Sequence, residues 1–181
     1  MNILGISCFY HDSAACLIKD GKIIAAASEE RFNRKKNSPD FPIQAINFCL
    51  QKGNLTAYDI DYLGFYEKPF LKFSRVILSH LRSFPFSSKN FLDTLPHWLQ
   101  DRLILPLIFN QELGYPGKTL FIKHHLAHAA SSFLVSPFNE AVILTADGVG
   151  EWATTAYGYG RGNNIRILQE IHFPDSLGLL Y

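Results

Sequence analysis

Residues 1–28 read MNILGISCFYHDSAACLIKDGKIIAAAS, and the fold follows from how this stretch is divided. Asn2–Ser7 and Ala14–Lys19 are short apolar runs of strand length, and Lys22–Ser28 is a third. Asp20-Gly21 between the second and third is the dipeptide that supplies the positive φ angles of a type I′ hairpin turn. The chain therefore opens on antiparallel strands. Working outward, Glu29 to Asp40 is a charged loop, and Pro42 suits a first helical turn. The apolar positions Ile43, Ile46, Phe48, Cys49 and Leu50 predict a short helix ended by Gly53. Thr56 can cap one more turn before a fourth strand over Tyr62–Tyr66.

Residues 67–116 differ. Phe70, Phe73, Val76, Ile77 and Leu81 recur at mixed helical spacing, and Pro85, Pro96 and Pro106 interrupt them. This predicts an irregular helical insertion whose aromatics fill a core or an interface rather than bind a cofactor. Strand character resumes at Thr119–Ile122, followed by a helix from about His124 to Val135. Further strands are expected over Glu140–Ala146, Trp152–Tyr159 and Ile165–His172, with Gly160–Asn164 as a turn. A hairpin start leading into alternating elements predicts a mixed sheet with flanking helices. The restart near residue 140 resembles the opening of a second copy, which divides the chain into a first lobe over 1–138 and the beginning of a second over 139–181.

Composition narrows the function classes. The 181 residues carry 17 Lys plus Arg against 16 Asp plus Glu, a balance that offers no electrostatic case for nucleic acid or an anionic membrane. Cys8, Cys16 and Cys49 form no CxxC pair, and Cys8 and Cys16, in apolar strand-like surroundings, read as buried reduced thiols. The start of the chain has no signal-peptide pattern, and the longest largely apolar run, Leu103–Phe109, is broken by Pro106 and far short of the roughly 20 residues a membrane helix requires. A reducing cytoplasm is expected. No GxxxxGK[ST], GxGxxG or GxSxG motif is present, so P-loop, Rossmann and serine-hydrolase readings lack support.

Four clusters remain as candidates for chemistry. In His124-His125-Leu126-Ala127-His128-Ala129, His124 and His128 lie at i and i+4 on one helix face and can share a metal ion, whereas His125 points elsewhere. The competing reading is of ordinary core or surface histidines. Asp147 follows the apolar run Leu144-Thr145-Ala146, and Gly148 and Gly150 beside it allow backbone to approach a ligand closely. A plain Asp-Gly hairpin turn is the alternative. With the two histidines, Asp147 makes a donor set suited to iron, manganese or zinc. The third cluster, His11, Asp12 and Ser13, sits at the turn between the first two strands, where a simple polar turn is the alternative. The fourth is Glu29-Glu30-Arg31, directly ending a strand. There an arginine can hold a carboxylate, carbamoyl or phosphate group, while Arg34, Lys35 and Lys36 read as solvated loop.

Taken together, Ile3-Leu4-Gly5-Ile6-Ser7, Tyr10 to Ala15, Glu29 to Phe32, Phe41-Pro42, His124 to Ala129, Ser136-Pro137-Phe138, Asp147 to Glu151 and Pro174 to Tyr181 resemble the O-carbamoyltransferases of nodulation-factor and antibiotic tailoring. Asn37 stands where that pattern often carries a histidine. The resemblance implies an α/β chain of the actin-like ATPase (ribonuclease H-like) fold, with the second lobe truncated and an adenylate-forming domain beyond it. It implies carbamoyl phosphate activated with ATP as carbamoyl adenylate, and transfer to a hydroxyl of a sugar or antibiotic. It maps His124, His128 and Asp147 onto metal ligands, iron first among the metals, while the residue pattern itself offers Gly148 and Gly150 as cofactor contacts and Ser13, Glu30 and Arg31 as substrate contacts. His11 and Asp12 become candidates for touching the adenylate or deprotonating the acceptor. A single lobe with an uncovered face is expected to be inactive alone and to associate with itself. A tRNA threonylcarbamoyltransferase relative, a non-catalytic metal- or nucleotide-binding lobe and a sugar kinase are the competing readings.

Overall fold

A computed structural model describes residues 1–98 and 103–180. Tyr181, the last residue of the Pro174 motif, lies outside the described residues, as do residues 99–102 of the helical insertion. The chain falls into two compact units, one of residues 1–66 and 94–121, the other of residues 67–93 and 122–181.

In the first unit β1 (Asn2–Ser7), β2 (Ala14–Lys19) and β3 (Lys22–Ser28) have the expected bounds. Asp20 and Gly21 turn between the last two with φ of 51° and 77°. β4 (Tyr62–Phe65) and β5 (Lys118–Phe121) complete a five-stranded sheet in the order β3-β2-β1-β4-β5. β1 pairs antiparallel with β2 and parallel with β4, and β4 pairs parallel with β5. This is the mixed sheet that the hairpin start and the alternating elements predict.

The period-2 pattern puts Leu4 and Ile6 of β1, Ala15 and Leu17 of β2, and Leu63 and Phe65 of β4 into one core. Helix α2 (Ile43–Gly53) covers it with Ala45, Ile46, Cys49 and Leu50. Two details of α2 differ from expectation. Pro42 is its N-cap rather than its first helical residue, and Gly53 is its last helical residue, because Asn54 takes the left-handed cap at φ 50°. The charged loop opens on a single turn, α1 (Glu30–Asn33), closed by Arg34 at φ 59°.

The insertion resolves into α3 (Pro69–Arg82), α4 (Ser88–His97) and α5 (Leu105–Leu113). Its aromatics split. Phe109 of α5 is fully buried against Phe65, centroids 6.0 Å apart, and Tyr115 is buried nearby, whereas Phe70, Phe84 and Phe86 are exposed. Among the described residues no helix is long and apolar enough to cross a membrane.

The second unit is built on β6 (Glu140–Ala146), β7 (Ala153–Arg161) and β8 (Asn164–His172), an antiparallel sheet in that order. Helix α6 (His124–Phe133) lies on it through Ala129 and Phe133, which pack with Ile143, Ala141, Ile165 and Ile167. The close approach depends on Gly160, where a Cβ would stand 2.4 Å from the Phe133 ring.

Candidate metal centre

Helix α6 carries its histidines on two adjacent stripes. His125, Ala129 and Phe133, spaced by four, are its buried residues and face the sheet. His125 is held at both ring nitrogens, 2.7 Å from Nδ1 to the Thr145 hydroxyl and 2.9 Å from Nε2 to the Ala153 carbonyl. A carbonyl only accepts, so Nε2 bears the proton and Nδ1 accepts from Thr145. Burial pushes the His125 pKa down, which keeps this neutral form.

The neighbouring stripe presents His124 and His128. The His124 Nε2 stands 2.7 Å from Asp147 Oδ2 and 3.0 Å from His128 Nε2, and the His128 Nε2 is 4.0 Å from Asp147 Oδ2. All three donor atoms lie within 4.8 Å of one another. Ligands of a tetrahedral ion bound at about 2.0–2.1 Å stand ~3.3 Å apart, so the spacing is of the right size. Two imidazole nitrogens and one carboxylate oxygen are also a donor set that divalent transition metals accept. The residues present therefore fit a metal ion.

Asp147 is prepared for that role by its surroundings. The strand bond from its own N–H to Thr154 O (2.8 Å) fixes its backbone, and its Oδ1 accepts the Gly148 N–H at 2.7 Å, which leaves Oδ2 to the histidines. The His124 hydrogen bond and the Gly148 N–H hold its pKa down to about 2. His128 moves down as well, through burial first and the neighbouring His124 second. The Ser176 hydroxyl lies 3.1 Å from the Asp147 carbonyl and 2.8 Å from that of Gly148, so the 174–180 segment clasps the same turn.

The two glycines of this loop serve unlike purposes. A Cβ on Gly148 would meet only ordinary contact, whereas one on Gly150 would come within 2.6 Å of the Ala153 carbonyl and 3.2 Å of His124 Cδ2. The space that Gly150 opens is filled by the protein's own atoms. A cavity of about 290 Å³ borders the centre, with His124, Glu151, Trp152 and Glu170 among its walls.

The other sequence-derived candidates belong to the first unit. The His11 Nδ1 lies 2.7 Å from Asp12 Oδ2, and both side chains are exposed. Phe9 and Asp12 adopt φ of 66° and 53°, an uncommon pair of left-handed residues in one turn. Ser13 is buried, and its hydroxyl has no hydrogen-bond partner among the described residues. Glu30 accepts the Asn37 N–H at 3.3 Å, and Arg31 is exposed. The buried residue of that motif is Glu29, whose carboxylate takes the N–H groups of Gln44 and Ala45 at the start of α2 and the Gln44 amide. Its role depends on α2, 15 residues on, and an apolar strand ending in a carboxylate just before a helix is the only local sign of it.

Relatives of known sequence match nearly the whole chain. The uncharacterized protein sll1178 of Synechocystis is 48% identical over 99% of this chain and 31% of its own length. Nodulation protein NolNO of Sinorhizobium fredii is 37% identical over 96% of the chain and 25% of its length. The uncharacterized protein MJ1051 of Methanocaldococcus jannaschii is 30% identical over 99% and 28%. The chain thus spans about a quarter to a third of the length of these relatives. Among solved structures, YeaZ from Pseudomonas aeruginosa aligns with 96% of the chain and 67% of its own at a TM-score of 0.45 and 11% identity. The family model described as Carbamoyltransferase N-terminus matches residues 2–181, and the chain belongs to that family.

Proposed function

We propose that this chain forms part of an enzyme that transfers a carbamoyl group from carbamoyl phosphate, by way of carbamoyl adenylate made with ATP, to a hydroxyl of a small-molecule acceptor such as a sugar, nodulation factor or antibiotic. The observation that carries the reading is the convergence of His124 Nε2, His128 Nε2 and Asp147 Oδ2, together with membership of the carbamoyltransferase family. These three residues would hold a divalent metal, iron foremost. Such an ion supplies a Lewis acid for phosphate and carbamoyl oxygens.

The chain's own groups have separate parts. His125, neutral and fixed at both nitrogens, sets the rotation of α6 so that the neighbouring stripe turns the Nε2 atoms of His124 and His128 toward Asp147. Asp147 stays ionised, as a metal-binding carboxylate must. Among the exposed groups of the first unit, Asp12 accepts from the His11 Nδ1–H, which leaves Nε2 free to take a proton from an attacking hydroxyl. Glu30 and Arg31 are the candidates for polar contacts to donor or acceptor. Ser13 can serve only where its buried hydroxyl is reached. Gly148 remains the better of the two glycines for a nucleotide contact, because a ligand there displaces no chain atom.

Metal content of protein purified without chelator, compared with His128→Ala, tests the centre. The wild type is expected to hold close to one ion per chain and the variant far less. Equal contents would refute the assignment. Transfer requires donor and acceptor at about 3–3.5 Å in one site. Supplied with ATP, carbamoyl phosphate, ferrous iron and hydroxylated acceptors, this chain alone is expected to yield no carbamoylated product by mass, and a full-length relative to yield it.

A further inference from the structure

Glu151 follows Gly150 in the same loop, and its carboxylate is buried. It accepts the backbone N–H of Lys68, the N-cap of α3, and it also faces the backbone N–H of His124, the first residue of α6. Helix N-termini leave their first N–H groups without intrahelical partners and favour a negative charge beside them. One carboxylate here serves two such termini. Beside it, Lys72 Nζ and Glu67 Oε2 form a buried ion pair at 2.6 Å, so the charge of Glu67 is already compensated within α3 and its approach.

We propose that Glu151 is a positioning residue for the His124–His128–Asp147 centre, a buckle that fixes the first turn of α6 against α3 and so sets where the His124 imidazole stands. The proposal rests on reading those three residues as a metal centre. Three observations support it. His124 is the most enclosed of the three donors, with 14% of its side chain exposed against 50% for His128 and 31% for Asp147, so its place depends most on its surroundings. Gly150 brings the loop close to the His124 ring, where a Cβ would stand 3.2 Å from Cδ2, so the loop that carries Glu151 bears directly on that ring. Glu151 is not among the donors that converge with His124, His128 and Asp147, which makes it a support rather than a fourth ligand.

The test uses cobalt(II) as the probe on the whole chain and its Glu151→Ala and Glu151→Gln variants, with His128→Ala as the ligand-loss reference. Calorimetry gives affinity and the visible d–d bands report coordination geometry. Loss of an outer support of a metal ligand weakens binding about 10- to 100-fold. That loss, with shifted bands, is expected for Glu151→Ala, and a smaller change for Glu151→Gln, which keeps an acceptor oxygen. Cobalt bound by Glu151→Ala as by wild type, while His128→Ala fails, would overturn the role of Glu151 and leave the centre standing. Should the wild type bind no cobalt, the metal reading fails, and amide hydrogen exchange on metal-free protein still decides the buckle. Exchange of the Lys68 and His124 amides should quicken about 10-fold or more in Glu151→Ala, and also in Glu151→Gln to a lesser degree. Unchanged exchange in both variants would overturn the proposal.

Discussion

Cys49 sits in the core of the first unit, fully buried on α2, with its thiol 3.6 Å from the carbonyls of Ala15 and Ala25. Burial, and secondarily the neighbouring Cys16, pushes its pKa up to about 11, and burial raises Cys16 as well. At pH 8 the Cys49 thiolate is then roughly 100-fold scarcer than in an ordinary thiol. Native protein is expected to leave Cys49 unmodified by iodoacetamide at that pH while urea-unfolded protein reacts fully, as peptide mass mapping would read. The raised value also sets a direction for stability. The fold favours the neutral thiol, so its contribution is complete below pH 9, the ordinary value, and is lost as pH rises through about 11. Denaturation midpoints should therefore fall on that alkaline side. Burial of Cys8 is legible in the sequence, because apolar neighbours on a strand imply it, whereas Cys16, read the same way, is only half-buried. The partners of Glu29, His125 and Glu151 are not legible, since each lies at least 15 residues away and is chosen by tertiary packing.

At the scale of elements, α6 shows why the histidine spacing could be read and its consequences only partly. An i, i+4 pair shares a face on any helix, but which face meets the sheet is decided by Ala129, Phe133 and the anchored His125. The strands were readable for a different reason: Asp-Gly, Gly-rich and Asn-rich turns bound them, and period-2 burial fixes their register. The ends of α2 and α6 were less so, because Asn54 caps as well as glycine does and α6 stops at Phe133 rather than Val135. The dependence of α6 on its sheet can be tested at Gly160. Gly160→Ala puts a methyl 2.4 Å from the Phe133 ring, and overpacking of this kind costs about 1–3 kcal/mol. The urea midpoint should fall accordingly. Adding Phe133→Leu should recover part of the loss, so that the double variant is more stable than the two single effects summed. Strict additivity would mean that the two residues do not press on each other.

For the molecule as a whole, one sheet of the second unit keeps an apolar face in solvent. Val142, Leu144 and Leu168 are among its exposed side chains, and β6 is an edge strand. Exposed apolar surface on an unpaired edge favours association. Gel filtration over a concentration series should show species larger than 20.5 kDa, and Val142→Lys with Leu144→Lys should return the chain to a monomer. Monomeric wild type at every concentration would contradict this. The division into units has a consequence for heredity as well. The chain passes from one unit to the other after residues 66, 93 and 121, so the unit that holds His124, His128 and Asp147 is not a continuous stretch of gene. A breakpoint at 121, however natural it looks beside the last strand of the first sheet, would part Lys68 from Glu151. The centre can therefore be transplanted or recombined intact only with the helix that begins at Pro69, and shuffling of its downstream half alone should yield proteins that lack its mount.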